Sequence, residues 1–149
     1  MLRVIPDTSC LILLKKIGAV ELLSQLYDEV LITDIVLDEF KESLPASYKV
    51  IPLQNRDFFT LLCKQLDPGE ASVICLGTNE SDSLMVLDDL KGRKVATALG
   101  LNFTGTLGLL VKAKRNGLIS QIEPYVEKLI AAGIRISPLV LSEIKKDYP

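Results

Sequence analysis

The chain contains no histidine among its 149 residues, and this absence narrows the chemistry open to it. Histidine is the one side chain whose unperturbed pKa puts its change of charge near neutral pH, and it is the commonest metal ligand in proteins. Mechanisms that use an imidazole as acid, base or metal ligand are therefore excluded. Any catalysis must use carboxylates, hydroxyls, lysines or thiols.

Aromatic residues are scarce at 5%, tryptophan is absent, and the formal net charge is −2, with 17 basic and 19 acidic residues. Apolar residues still make up 48% of the chain, which indicates one folded domain with an aliphatic core. Proteins that hold nucleic acid by bulk charge are usually basic, so broad nonspecific DNA binding is disfavoured. A local basic rim around an acidic site is compatible with this balance.

Cysteines are few, and none stands in a CxxC pair. Cys10, Cys63 and Cys75 lie in apolar stretches, as expected for small core residues in a reducing compartment. Neither a disulfide framework nor a zinc site is expected. Residues 1–6 lack the long apolar region of a signal peptide, and no apolar run is long enough to span a membrane. These features predict a cytoplasmic protein with no membrane contact.

Short apolar segments alternate with helical patterns along the chain. Strands are predicted at 2–6, 29–32, 49–53, 83–87 and 101–104, and helices at 10–16, 19–26, 34–43, 55–65, 67–77, 90–99, 107–115, 120–131 and 138–147. In the helix at 55–65, Phe58, Leu61 and Leu62 are expected to face inward. The alternation predicts an α/β domain of three layers, with a parallel sheet covered by helices on both faces.

Polar residues follow three of the predicted strands. They are Asp7-Thr8-Ser9, Asp88-Asp89 and Thr104-Gly105-Thr106. If these strands are neighbours and parallel, the three segments share the edge where such sheets carry active sites, and Glu39 and Glu70 could point there from helices. Clustered carboxylates repel one another unless cations compensate them. Mg²⁺ prefers oxygen ligands and can activate water against a phosphodiester without histidine.

Most of these acids also have a purely structural interpretation. Asp7 could cap the helix that follows it, and Glu39 could belong to a solvated helix face. Glu70 alone is better explained by a capping box that begins at Asp67. The adjacent pair Asp88-Asp89 exceeds what one helix cap needs, so functional use is favoured there.

Two groups of basic residues could form a phosphate-binding rim near these acids. Lys91, Arg93 and Lys94 follow the Asp pair, and a second group lies on the helix after Thr106, namely Lys112, Lys114 and Arg115. For any single lysine, an ordinary solvated face is the alternative.

The ordered set of motifs resembles the PIN-domain family. The opening pattern is Asp7-Thr8-Ser9 after the first strand, followed by Glu39 in DIVLDEF. The strings DPGEASVICLG and LMVLDDLKGRKVATALGLNFTGTLGLLVKAKRNGLI resemble the VapC-related subgroup of predicted nucleic-acid-binding PIN proteins. Because the resemblance covers nearly the whole chain, we expect one domain over 1–149, with a helical extension at about 120–149.

The resemblance implies a three-layer α/β/α fold with a sheet of four or five mostly parallel strands. It also implies an Mg²⁺ or Mn²⁺ site built from acids and a ribonuclease that cuts single-stranded RNA. Asp7 would be the central metal ligand, and Glu39 and Glu70 would complete the ligand set or act through water. Asp89, together with Asp88, would hold a second ion or orient the water.

Other residues would support this site. The resemblance implies that four hydroxyls hydrogen-bond acids or waters, those of Thr8, Ser9, Thr104 and Thr106. The expected RNA contacts are Lys91, Arg93 and Lys112. In toxin–antitoxin modules such proteins pair with a small antitoxin, and a homodimer is expected. Apolar residues of the extension could pack on the core or form the dimer contact, namely Ile119, Ile122, Val126, Leu129 and Ile130.

The sequence departs from common VapC toxins at two places. Those toxins carry Asp at the position of Glu70, and they carry a Thr-x-Asp pattern where this chain has Leu87-Asp88-Asp89. Either Asp88 or Asp89 could therefore take the catalytic place. An alternative is an inert PIN-like scaffold that binds an antitoxin, another protein or RNA. A receiver domain is disfavoured because its Asp pair follows the first strand, and a NAD-binding domain because no GxGxxG follows a strand.

Overall fold

Five parallel strands form the centre of the fold in the computed structural model, which describes residues 2–147. They are β1 (Arg3–Pro6), β2 (Glu29–Thr33), β3 (Lys49–Ile51), β4 (Ser83–Val86) and β5 (Phe103–Thr104). Their order across the sheet is β3-β2-β1-β4-β5. The predicted three-layer α/β fold with a parallel sheet is confirmed.

The helices that cover the sheet lie between the strands and after the last one. They are α1 (Thr8–Lys16), α2 (Leu22–Leu26), α3 (Asp34–Phe40), α4 (Arg56–Leu62), α5 (Pro68–Asn79), α6 (Leu90–Ala98), α7 (Thr106–Arg115), α8 (Glu123–Ala131) and α9 (Pro138–Asp147). Among residues 2–147, none of these helices is long and apolar enough to cross a membrane.

Strand register brings the polar segments to one edge of the sheet. Pro6 of β1 pairs with Val86 of β4, and Val86 pairs with Thr104 of β5. Because the three strands run parallel and end at the same level, the residues that follow them leave the sheet side by side. Asp7, Leu87 and Gly105 therefore begin three neighbouring loops, and Asp88 is the second residue of the loop after β4.

Several helices begin at this edge with a polar side chain that accepts a hydrogen bond from a backbone N–H of the first turn. These caps are Asp7, Thr33, Asp67 and Asp89, at the starts of α1, α3, α5 and α6. Such caps satisfy amide groups that have no partner inside the helix. The acids of the edge therefore contribute to the fold itself.

The structure corrects some details of the sequence-based expectations. Leu61 is 57% exposed, whereas Leu62 is buried, so the inward position predicted for Leu61 is wrong. The helix predicted to reach residue 43 ends at Phe40, because Lys41 adopts a left-handed backbone conformation with φ 57°. β5 spans two residues only, and α8 begins at Glu123 rather than at 120.

The C-terminal segment packs on the rest of the molecule. Four of its apolar side chains are buried in the core cluster, those of Ile119, Ile122, Val126 and Leu129. Ile130 is 45% exposed on the outer side of α8. Because the first four contact the main core, we expect the extension to unfold together with the sheet.

Replacing Ile122 by Ala tests this packing. Ile122 is fully buried, so the change should lower the free energy of unfolding by about 2–5 kcal/mol in one cooperative urea transition. The matched control Ile130→Ala removes the same atoms from an exposed site and should change it by about 0.5 kcal/mol or less. An early, separate transition for the C-terminal segment would contradict the single-domain expectation.

Candidate functional site

A small cavity opens at the carboxyl edge of the sheet. Its volume is about 200 Å³, and it is lined by Asp7, Thr8, Ser9, Glu39, Asp67 and Glu70. The lining comes from the loop after β1, from α3 and from the start of α5. Four of the six lining residues are acids, and this cavity is the candidate functional site.

Asp7 is both a helix cap and a member of the cavity. It is only 2% exposed, and its Oδ1 accepts a hydrogen bond of 2.8 Å from the Cys10 amide. Burial raises the pKa of the Asp7 carboxyl to about 7, although the hydrogen bond opposes the rise. The negative charges of Asp88, Asp67 and Glu39 raise it further. The structural and functional interpretations of Asp7 are therefore compatible.

Glu70 is the second buried acid, at 4% exposure. Its amide donates to Asp67 Oδ1 at 2.9 Å, as the predicted cap requires. Its side-chain Oε2 is buried and has no hydrogen-bond partner among residues 2–147. The pKa of the Glu70 carboxyl rises to about 8, first through burial, then through the side chain of Asp67 and the charges of Asp89 and Asp7.

Two glycines make room for the acids. A Cβ on Gly69 would lie 2.3 Å from Glu39 Oε1, and one on Gly92 would lie 2.7 Å from Glu70 Oε2. Thr8 Oγ1 also donates a 2.6 Å hydrogen bond to Glu39 Oε1. Glu39 is thereby held against the start of α5, although its side chain is exposed to solvent.

Asp88 lies beside the cavity and is held by the start of α7. Its two carboxylate oxygens accept hydrogen bonds from the Thr106 amide at 2.9 Å and from Thr106 Oγ1 at 2.6 Å. An Arg93 guanidinium nitrogen lies 3.9 Å from Asp88 Oδ1. A Cβ on Gly105 would lie 2.9 Å from the same oxygen, so the approach of Asp88 to α7 depends on this glycine.

Asp89 has a different environment from its neighbour. Its Oδ1 accepts a hydrogen bond of 2.9 Å from the Lys91 amide and so caps α6. The charge of Asp89 contributes to the raised pKa of Glu70, whereas the charge of Asp88 contributes to that of Asp7. Both members of the pair therefore act electrostatically on the cavity, each through a different buried acid.

Some predicted site residues do not line the cavity. A Cβ on Gly108 would come within 2.4 Å of Thr104 Oγ1, so this hydroxyl lies against α7. Lys112 lies 4.2 Å above the ring of Tyr27, six residues along α7 from Thr106, or about 9 Å along the helix axis. Arg93 donates from Nε to the Leu87 carbonyl at 2.7 Å.

Asp67 is a cavity residue that sequence reasoning treated only as a cap. The sequence indicates this position, because Asp67 stands three residues before Glu70. A residue that caps α5 must lie near the side chains of the first turn of α5, which include Glu70. Its charge raises the pKa of both buried acids, Asp7 and Glu70.

The side chains suit a hard divalent cation better than any other ligand. Within residues 2–147, no three potential metal ligands stand close enough together to form a ready-made site. The acids nevertheless supply the oxygen donors that Mg²⁺ and Mn²⁺ prefer, and the buried Glu70 Oε2 has no hydrogen-bond partner among the described residues. The donor set therefore fits such an ion once side chains adjust.

Comparison with known proteins identifies the family. A family model described as a PIN domain matches residues 3–148. The chain belongs to the PIN-domain family. PIN domains are generally nucleases and typically use divalent metals, so the expected family is confirmed at this level. No curated protein sequence matches the chain.

The raised pKa values give the PIN domain a distinctive dependence on pH. Asp7 and Glu70 stay protonated in the folded state to about pH 7 and 8, against about 4 for ordinary carboxyls. The folded state therefore binds more protons across this window, and the free energy of unfolding falls as pH rises through it. In EDTA, the melting temperature should drop by about 5 °C or more between about pH 5 and pH 8.

Substitution should remove this dependence. The pair Asp7→Asn and Glu70→Gln eliminates both titrating groups and should flatten the melting profile, while the exposed Glu42→Gln control should keep it. A wild-type protein that is equally stable at both ends of the window would show that the two carboxyls are not buried as described.

Proposed function

We propose that this PIN domain is a metal-dependent endoribonuclease that cuts single-stranded RNA at the acidic cavity. The observation that carries the proposal is the buried, unpartnered Oε2 of Glu70, next to a second buried acid, Asp7. An unpaired buried polar atom costs about 1–3 kcal/mol, and more when it is charged. A divalent cation is the partner that would compensate both acids at once.

The residues of the chain divide into those that would hold the ion and those that orient them. Asp7 and Glu70 would hold it, with Glu39 bound directly or through water. Thr8 positions Glu39, and Thr106 positions Asp88. When bound, Mg²⁺ or Mn²⁺ would polarise a phosphate oxygen and lower the pKa of nearby water.

Of the adjacent pair, Asp89 is better placed to act on water or on a second ion. Each oxygen of Asp88 already accepts a hydrogen bond from Thr106, and Arg93 lies close to one of them. In the proposed hydrolysis, water oxygen bonds to phosphorus as the P–O3′ bond breaks. A carboxylate takes the proton of the attacking water, and the leaving O3′ takes a proton from solvent water. The products would carry a 5′-phosphate and a 3′-hydroxyl.

We further propose a partner for the exposed apolar side chains of the C-terminal helices, Ile130 on α8 and Leu139 and Val140 on α9. Leu139 and Val140 are adjacent in the chain, and neighbouring exposed apolar residues are typical of interaction sites. The resemblance to VapC-type toxins favours a second copy of the chain or a small antitoxin as the occupant.

A second candidate function is an inert PIN-like scaffold that binds a protein or RNA. The observation that favours it is the absence, within residues 2–147, of a ready-made group of three metal ligands. The two candidates differ in what a divalent cation does, because a scaffold needs none. A cleavage assay that includes metal removal separates them.

Purified protein should cut a labelled single-stranded RNA in Mn²⁺ or Mg²⁺ and not in EDTA. Asp7→Asn keeps the size of the side chain and its hydrogen bond to the Cys10 amide, but removes charge from the cavity. It should lower the cleavage rate by about a hundredfold or more. The rate can be followed on denaturing gels, with end-group analysis of the products.

The Asp7→Asn protein also controls for a contaminating nuclease, because it follows the same purification. Full activity in this variant would contradict the assignment of Asp7 as a metal ligand. Metal-independent binding of RNA without any cutting would favour the inert scaffold. A cyclic phosphate product would contradict attack by water, and a 3′-phosphate would contradict breakage of the P–O3′ bond.

A further inference from the structure

We infer that a lysine groove beside the acidic cavity, lined by Lys64, Lys91 and Lys94, binds the phosphate backbone of the RNA as the strand leaves the cavity. The inference rests on the proposed function and adds the path of the substrate. The groove has a volume of about 390 Å³, and its lining is completed by Gln65, Leu66 and Val95.

The groove adjoins the cavity at the junction of Leu66 and Asp67. One wall ends at Leu66, and the next residue, Asp67, lines the cavity. The other wall is the start of α6, which Asp89 caps. A strand bound at the acids would therefore meet the lysines directly.

The spacing of the lysines suits successive phosphates of one strand. Lys91 and Lys94 are three residues apart on α6, so they share a face of the helix. They lie about 3 Å and about 7.5 Å beyond Asp89 along the helix axis. Lys64 faces them from the segment before α5. An extended polyanion between the two walls would contact positive charge on both sides.

The lysines of the groove form no ion pair with a carboxylate within the described part of the chain. Arg3, Lys49 and Arg56 form ion pairs with carboxylates, whereas none of the three groove lysines does so within residues 2–147. Lys91 also lies in the first turn of α6, which contains no acid. The helix dipole disfavours a cation there, so folding gains nothing from this position.

Two basic residues expected from the sequence to bind RNA are engaged elsewhere. Arg93 donates to the Leu87 carbonyl and lies 5.5 Å from the centre of the Phe103 ring, and Lys112 lies over Tyr27. Lys64 and Lys94 therefore replace them as partners of Lys91. No aromatic ring from residues 2–147 lines the groove, so this part of the chain offers bases no stacking surface there, and the contribution of the groove should be independent of RNA sequence.

Binding of a fluorescent single-stranded RNA in EDTA, where no metal-dependent cutting occurs, tests the groove. The variant Lys64→Glu with Lys94→Glu is compared with Lys15→Glu and Lys16→Glu, which lie in the last turn of α1. Each pair of changes takes the formal net charge from −2 to −6. Measuring Kd by anisotropy at several salt concentrations separates local contacts from bulk charge.

Loss of two phosphate contacts should weaken binding about 25-fold at about 0.1 M salt and reduce the slope of log K against log salt by about 1.4. The Lys15/Lys16 control should change Kd by about threefold or less and keep the slope. Lys91→Gln should also weaken binding without lowering the melting temperature, because it removes a cation from a helix start and adds no negative charge beside the acids. That variant excludes unfolding as the cause.

Equal weakening by the two double variants would overturn the groove, as would an unchanged Kd in Lys64→Glu with Lys94→Glu. A wild-type chain that binds no RNA would overturn both the groove and the proposed function. Lysine-dependent binding in a protein that never cuts RNA would support the groove and contradict the nuclease. The two proposals can therefore fail separately.

Discussion

The structure depends on two buried carboxyl groups, Asp7 and Glu70, that share one cavity at the edge of a parallel sheet. Water solvates them poorly, and the charges of neighbouring acids disfavour ionisation further. Near neutral pH the charge of these groups can be reduced by protons or, on the proposed function, by a divalent cation. Gly69 and Gly92 allow Glu39 and Glu70 to approach the neighbouring helices closely.

Acids at this edge also hold the fold together. Asp7, Asp67 and Asp89 each accept a hydrogen bond from the first turn of a helix at this edge. One oxygen of such a carboxylate can bind the helix while the other stays available to a ligand. The candidate site and the fold therefore share residues. A substitution of Asp by Asn keeps the helix cap and tests the charge alone, whereas a substitution by Ala removes both. Charge can be removed there while the hydrogen bond stays.

Sequence reasoning recovered the sheet and the edge because both follow from local patterns. Short apolar runs gave β1, β4 and β5, and parallel pairing brings the residues after them together. Side-chain direction was harder to predict, because it depends on neighbours distant in sequence. Arg93 turns toward Leu87 and Phe103, and Leu61 turns to solvent although Leu62 does not. Assigning Asp67 to the cavity likewise required the position of α5 beside α3.

On the proposed function, the buried acids exchange protons for a divalent cation. Calorimetric titration of the protein with Mn²⁺ at about pH 6.5, in buffers of different ionisation enthalpy, counts the protons released. With pKa values of about 7 and 8, between about one and two protons should be released for each bound ion, falling toward zero above about pH 9. Binding without proton release, or no binding of Mn²⁺, would contradict this exchange.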